Sequence, residues 1–225
     1  MTSREGGGMK LKHTIDLHKG STALVVLAMM VAYDNFGLGP WVYLALHGTY
    51  GVLWVLKSRI FPDPAWEVEC SPAIAVRNFL VLMMYWVAPF LLVQSGDVPS
   101  APLVGGAVAI NIIGTFLHFV SDAQKYYVLQ LRRGLITEGL FSNNRNPNYL
   151  GEMLIYGSFA LISMQWVSWV ILAVWWGGVF VPNMVKKDRS LSRYPAFAGY
   201  RGRSWLFLPR PGWAVRSENE GTSSP

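Results

Sequence analysis

Long apolar runs, each closed by a short cluster of Gly, Pro, Asp or Lys, set the pattern of this chain. A helix that crosses the hydrocarbon core of a bilayer needs roughly 17–25 mostly apolar residues. STALVVLAMMVAYDNFG at 21–37, WVYLALHGTYGVLWVL at 41–56, AIAVRNFLVLMMYWVAPFLLV at 73–93 and LVGGAVAINIIGTFLHFV at 103–120 each read as one such helix, with GLGP as a tight breaker between the first two. The last block, Tyr149 to Pro182, is too long for one helix and predicts two short ones with a bend near Ser163 to Trp169. The pattern therefore predicts an all-α, polytopic integral membrane bundle of six segments.

Composition agrees. Of 225 residues, 52% are hydrophobic and 14% charged, too apolar a balance for a soluble domain with a charged surface. The net charge of +6 is gathered in short clusters between the apolar runs, the pattern of loops flanking membrane helices and not of a nucleic-acid surface. Lys10, Lys12 and Lys19 precede the first segment, Lys57 and Arg59 follow the second, Lys125, Arg132, Arg133 and Arg145 follow the fourth, and a basic tail begins at Lys186. The alternate loops, GLGP, QSGDVPSAP and the bend near 165, carry no Lys or Arg. An even number of crossings with both termini cytoplasmic satisfies every loop, in the endoplasmic reticulum of a eukaryote or the inner membrane of a bacterium.

The N-terminal stretch lacks a signal-peptide core and cleavage site, so the first apolar run is expected to stay as an anchor. The expected organisation is a disordered cytoplasmic segment over 1–20, one membrane domain over 21–209 and a disordered tail over 210–225. Within the membrane domain, 21–94 would face the substrate and 103–209 the cofactor. Cys70, the sole cysteine, excludes an internal disulfide and a multi-thiolate metal site.

Ionisable residues inside spanning helices usually face a cavity or a partner, which singles out Asp34, His47, Arg77, His118 and Glu152. No H-x-x-x-H spacing joins the histidines, so no metal site is expected. Glu152 lies one turn from Asn148, and Tyr149 or Tyr156 extends the same polar stripe in an apolar helix. Before it, Asp122, Lys125, Arg132, Arg133 and Arg145 form a basic connection whose guanidinium groups suit a phosphate-bearing ligand or, equally, anionic lipid headgroups. Pro147 can open the helix that follows, leaving first-turn amides free for an anion. In the tail, Tyr194, Phe197 and Tyr200 stand three apart, consistent with an amphipathic helix on the membrane surface or a lid over a pocket.

GLFSNNRNPNYLGE, followed by an apolar hairpin and the basic run DRSLSRYPAFAGY, resembles the C-terminal region of the steroid 5-alpha-reductase and sterol reductase superfamily. It looks especially like a branch of uncharacterised membrane proteins related to both those reductases and the isoprenylcysteine carboxyl methyltransferases. The resemblance covers roughly 110–210. It implies an NADPH pocket in which Asn148 and Glu152 contact the nicotinamide half, Asp122 and Arg132 or Arg133 match a second cofactor motif, and Tyr200 matches a tail tyrosine. With Arg145 and Tyr149 of the R-x-P-N-Y-x-G-E core, these eight residues are the candidate cofactor site.

The family usually has His or a small residue where Asn146 stands, and the asparagine weakens the match to the methyltransferase form R-H-P more than to the reductase form. The N-terminal half does not align, and its polar groups Tyr33, Asp34, Tyr43, His47 and Tyr50 receive no role. The implied activity is NADPH-dependent reduction of a carbon–carbon double bond in a lipid or steroid-like substrate drawn from the bilayer. The competing readings are S-adenosylmethionine-dependent methylation of a lipid or lipidated cysteine, and a non-catalytic membrane scaffold. A channel or transporter is disfavoured because the helices show no broken pair with matching repeats.

Overall fold

A computed structural model describes residues 9–211. Six long helices run back and forth through the bundle: α1 (Leu11–Ala32), α2 (38–60), α3 (Pro72–Ser95), α4 (Ala101–Leu131), α5 (Pro147–Ser163) and α6 (Trp166–Leu191). A short α7 (Phe197–Arg203) follows. Among the described residues α1, α3, α4 and α6 are each long and apolar enough to cross a membrane, so the chain is a helical integral membrane protein. The predicted hairpin is present: Met164 takes a left-handed φ of 53° and Gln165 leads into α6.

The first helix differs from expectation. It starts at Leu11, so 11–20 are helical and not disordered; residues 1–8 and 212–225 of the expected disordered ends lie outside the described residues. Polar residues hid this start because some of them face inward: His18, Lys19 and Thr22 are buried.

Three helices change pitch where they pass the centre. Pro89 has no N–H to offer the carbonyl of Tyr85, and α3 tightens into a 3-10 stretch at Met83–Trp86. Pro182 similarly follows the π-helical stretch Trp176–Phe180 of α6, and α2 widens at Leu44–Gly48. The core surrounds α5, whose Ile155, Tyr156, Phe159, Ala160 and Ile162 are all buried.

The most extensive seam is between α4 and α5. A Cβ added at Gly151 would lie 2.4 Å from the backbone N of His118 and 2.6 Å from the carbonyl O of Gly114. Only glycine permits that approach, the small-residue packing used where two membrane helices touch backbone to backbone. Asn111 donates to Ser158 Oγ (2.9 Å) one stage further along. At 31 residues, α4 is about 46 Å long. It therefore outreaches a hydrocarbon core of about 30 Å, and its polar end can stand at the interface.

Contacts sort the loops into two ends. Asn35 donates to Val93 O (2.8 Å) and Gln165 to Asp97 (2.9 Å), uniting the connections that lack Lys and Arg. At the other end, Glu67 takes Lys10 (2.9 Å) and Lys12, and Asp63 takes Lys125 (3.0 Å). The loop 61–71 is thereby tied to α1 and α4. Hydrogen bonds from Lys12 and Lys10 hold the Glu67 carboxyl below its usual range. Burial pushes Asp63 up, but the Lys125 ammonium and the Ala65 amide outweigh it and leave the carboxyl below its ordinary value. A carboxyl depressed in the folded state stabilises above its unfolded pKa of about 4, and that contribution is lost as pH falls through the folded value. A spin label on Cys70, which sits in this loop, is expected to be immobile at pH 7 and to gain mobility as the pH drops below about 4. Unchanged mobility down to about pH 3 would show that these pairs do not hold the loop.

Candidate functional site

The sequence NNRNPN at 143–148 does two jobs. Its first half clasps the tail. Arg145 donates from Nε to both oxygens of Asp188 (3.1 and 3.0 Å) and from Nη1 to Ser204, and its own backbone N–H reaches Trp205 O (3.0 Å). Asn146 Nδ2 donates to Leu206 O (2.7 Å) and Asn144 Nδ2 to Phe207 O (2.9 Å). Tyr200 donates to Phe141 O (2.6 Å). Phe197 and Tyr200 are buried by this docking while the other residues of α7 are exposed, so the helix is amphipathic and lays its aromatic face on the 141–146 segment. A guanidinium carries five donors in a rigid fork, which suits it to satisfying a cluster of buried acceptors as well as to binding phosphate.

The second half opens α5 with Pro147 in its first turn, where the missing N–H breaks no helical bond. Asn148 and Glu152, one turn apart, then face a cavity of about 780 Å³ including its mouth. Asp122, Asn148, Tyr149 and Glu152 line it, together with Lys19, Trp54, Lys57, Tyr85, His118 and Trp175. Half of the predicted site is therefore assembled. The remainder is elsewhere: Arg145 and Tyr200 belong to the tail clasp, Arg132 pairs with Glu138 on the following loop, and Arg133 is exposed.

Two lysines that the sequence assigns to flanking loops are instead inside, at 3% and 5% exposure. The Lys19 ammonium donates to Tyr50 OH (3.2 Å) and to Tyr156 OH and lies 4.0 Å from Glu152 Oε1. The rings of Tyr50, Trp54 and Tyr156 surround it at 4.6, 4.7 and 4.7 Å, so a cation–π cage replaces part of its hydration. Gly51 makes this position possible, because any Cβ there would fall 2.1 Å from the Lys19 carbonyl oxygen.

Lys57 pairs with Asp122 and lies 4.5 Å from the ring centre of Trp54, and its Nζ is 3.5 Å from His118 Nε2. The other ring nitrogen of His118 is 3.2 Å from the carbonyl of Asn148. A carbonyl only accepts, so Nδ1 carries the proton and Nε2 presents its lone pair to Lys57. The cavity thus holds two lysines and three carboxylates, Asp63, Asp122 and Glu152, in an aromatic wall, and Asp122 Oδ1 and Asn148 Oδ1 are buried without a partner among the described residues. Of the two, only Lys57 carries a signal in the sequence, its spacing: Tyr50, Trp54 and Lys57 fall on one face of α2.

Residues 71–195, more than half of the chain, match the family described as protein of unknown function (DUF1295). An uncharacterized protein of Schizosaccharomyces pombe is 38% identical over 93 residues, which cover 38% of this chain and 27% of that protein's length. No solved structure gives a significant match. The matched range begins with α3 and contains α4, α5 and α6, the helices that supply Tyr85, His118, Asp122, Asn148, Glu152 and Trp175, so by its sequence and by the helices that build its cavity this chain belongs to the DUF1295 family.

Proposed function

We propose that the protein is a membrane-embedded NADPH-dependent reductase of a carbon–carbon double bond conjugated to a carbonyl in an apolar lipid. The observation that carries the reading is the caged Lys19 ammonium, held by two phenols and 4.0 Å from Glu152 in the cavity that Asn148 also lines. Reduction of such a bond needs a group to polarise the carbonyl and deliver a proton, and an ammonium backed by tyrosine hydroxyls is that kind of group. Methyl transfer to a thiolate or carboxylate needs no such acid. The charge bias of the loops favours a cytoplasmic position for this end of the bundle, on the side where the cofactor is dissolved.

The residues fit the nicotinamide half of NADPH. The orphaned Oδ1 of Asn148 and the carboxylate of Glu152 are both acceptors suited to a carboxamide N–H. For the phosphates, the cations beside the cavity are Lys57 and Lys125, each itself paired with a carboxylate, and not the predicted arginines. When bound, NADPH supplies the hydride. The protein's part is to hold the ring with Asn148 and Glu152, keep the substrate carbonyl against Lys19, and exclude water with Trp54, Tyr85 and Trp175.

The occupied arginines are what favour S-adenosylmethionine as a second reading, since it carries no phosphate and its sulfonium would suit the aromatic wall and carboxylates. Calorimetric titration of both cofactors into the detergent-purified protein separates the two. NADPH is expected to bind, and Glu152→Gln to weaken it by roughly ten- to a hundredfold, the worth of one charge-assisted hydrogen bond. Binding of S-adenosylmethionine alone would transfer the site to methyl transfer, and binding of neither by a folded sample would leave a membrane scaffold.

A further inference from the structure

Both α3 and α6 pack on α5 and touch each other. Two cavities draw lining residues from all three of these helices. One is the polar cavity already described. The other is a shallow apolar groove, floored by Tyr43, Tyr156 and Phe159 and rimmed by Met84, Ala88 and Ile171. Tyr85 lines both, stacked on Tyr156 at 4.1 Å and on Trp175 at 5.2 Å between ring centres. A single row of three aromatic rings is the partition.

From this continuity we infer that the groove binds the hydrocarbon chain of the substrate, which enters sideways from the bilayer between α3 and α6 while its reactive end lies beyond Tyr85 under Lys19. Both helices that frame the mouth are membrane spans, so the medium at the groove is lipid acyl chain and the matching occupant is a hydrocarbon. The groove is lined almost wholly by carbon, and the hydroxyl of Ser168 at its edge is already paired with Ser163 (2.8 Å). Nothing there asks for a polar ligand. Small and pliant residues form the rim: Ala88 leaves room for a chain to pass, and Met84 can repack around it. Tyr85 is the residue that separates the two, and it sits in the 3-10 stretch Met83–Trp86, where Pro89 cannot supply the N–H its carbonyl would take in an α-helix. Rotation of that one ring joins the groove to the polar cavity.

The inference rests on the polar cavity being the reaction site, and its test needs no cofactor. A palmitic acid probe carrying a diazirine at the chain end is titrated into the purified protein in detergent, irradiated, and its attachment sites are mapped by mass spectrometry. Labelling of Met84 and Ile171 is expected to saturate and to be displaced by unlabelled palmitic acid, while labelling of the outward-facing Val170 and Val174 rises linearly. Ala88→Trp fills the rim and is expected to lower groove labelling at least tenfold without changing the helical circular dichroism. Ile171→Trp closes the opposite rim and carries the same expectation for Met84 should the first variant misfold. Groove labelling that rises linearly like the outer face, or that survives both closures, overturns the groove as a binding site. Loss of NADPH binding in the calorimetry, with groove labelling saturable, would instead overturn the reductase reading and leave the groove standing.

Discussion

Replacing Lys57 by Met is expected to destabilise the protein by roughly 3–5 kcal/mol, the usual result of removing one partner from a buried ion pair. Methionine preserves the length of the side chain and its packing on Trp54, so the loss reports charge. The Asp122 carboxylate would remain, with one oxygen already lacking any partner and the other losing its ammonium. His118 Nε2 would also lose the cation that faces it. For a domain of this size each kcal/mol moves the melting midpoint by about 2–4 °C. The double variant Lys57→Met, Asp122→Leu removes both charges together and is expected to regain most of the stability, since a buried pair contributes little net over an apolar replacement. Thermal unfolding in detergent, followed by circular dichroism for the two single variants and the double, gives the coupling energy. If Lys57→Met melts with the parent protein, Lys57 is not paired in the interior and belongs with the loop charges after all.

Lys57 also marks the limit of what a membrane sequence reveals. The helices are legible because transfer to hydrocarbon demands long apolar runs, and the breakers GLGP, QSGDVPSAP and the 163–169 bend divide them where the structure turns. Asn148 and Glu152 are legible because a polar pair one turn apart in an apolar helix must face a cavity or a polar partner to be tolerated there. Lys19 is not, and Lys57 shows only through its spacing from Tyr50 and Trp54. Counting Lys and Arg by side of the membrane treats every cation near a helix end as a loop charge, but a lysine has a four-carbon stem and can turn its ammonium inward when aromatic rings and phenols receive it. Arg145 misleads in the opposite sense: composition marks it as a phosphate ligand, whereas its partners are Asp188 and Ser204, residues far along the chain that become neighbours only when the tail folds back. Local pattern therefore finds the helix that carries the site but misses charges whose partners come from other helices.

Gly151→Ala is expected to disrupt both the fold and the site, through one methyl group. The added Cβ would meet the His118 N, the Gly114 O and the His118 Cα at 2.4, 2.6 and 2.9 Å, all of them backbone atoms that no rotamer change can remove. The helices α4 and α5 must separate, and overpacking of this kind typically destabilises by about 1–3 kcal/mol. Separation also moves Asn148 and Glu152 away from His118 and Asp122, breaking the 3.2 Å contact between His118 and the Asn148 carbonyl, so any ligand of the cavity should be lost along with stability. Gly157→Ala, on the same helix, is the internal control. Its Cβ would meet only the edge of Trp169 at 4.0 Å, and alanine is the better helix former by about 1 kcal/mol, so this variant should be neutral or slightly stabilised. Melting curves and cofactor titrations of the two variants side by side decide the matter. Equal stability would mean that α4 and α5 do not touch at Gly151, and the cavity built on their contact could not then exist in this form. A collapse confined to Gly151→Ala would instead locate the origin of the site in a backbone-to-backbone seam: the glycines bring α4 and α5 together, and only that closeness sets His118 and Asp122 opposite Asn148 and Glu152.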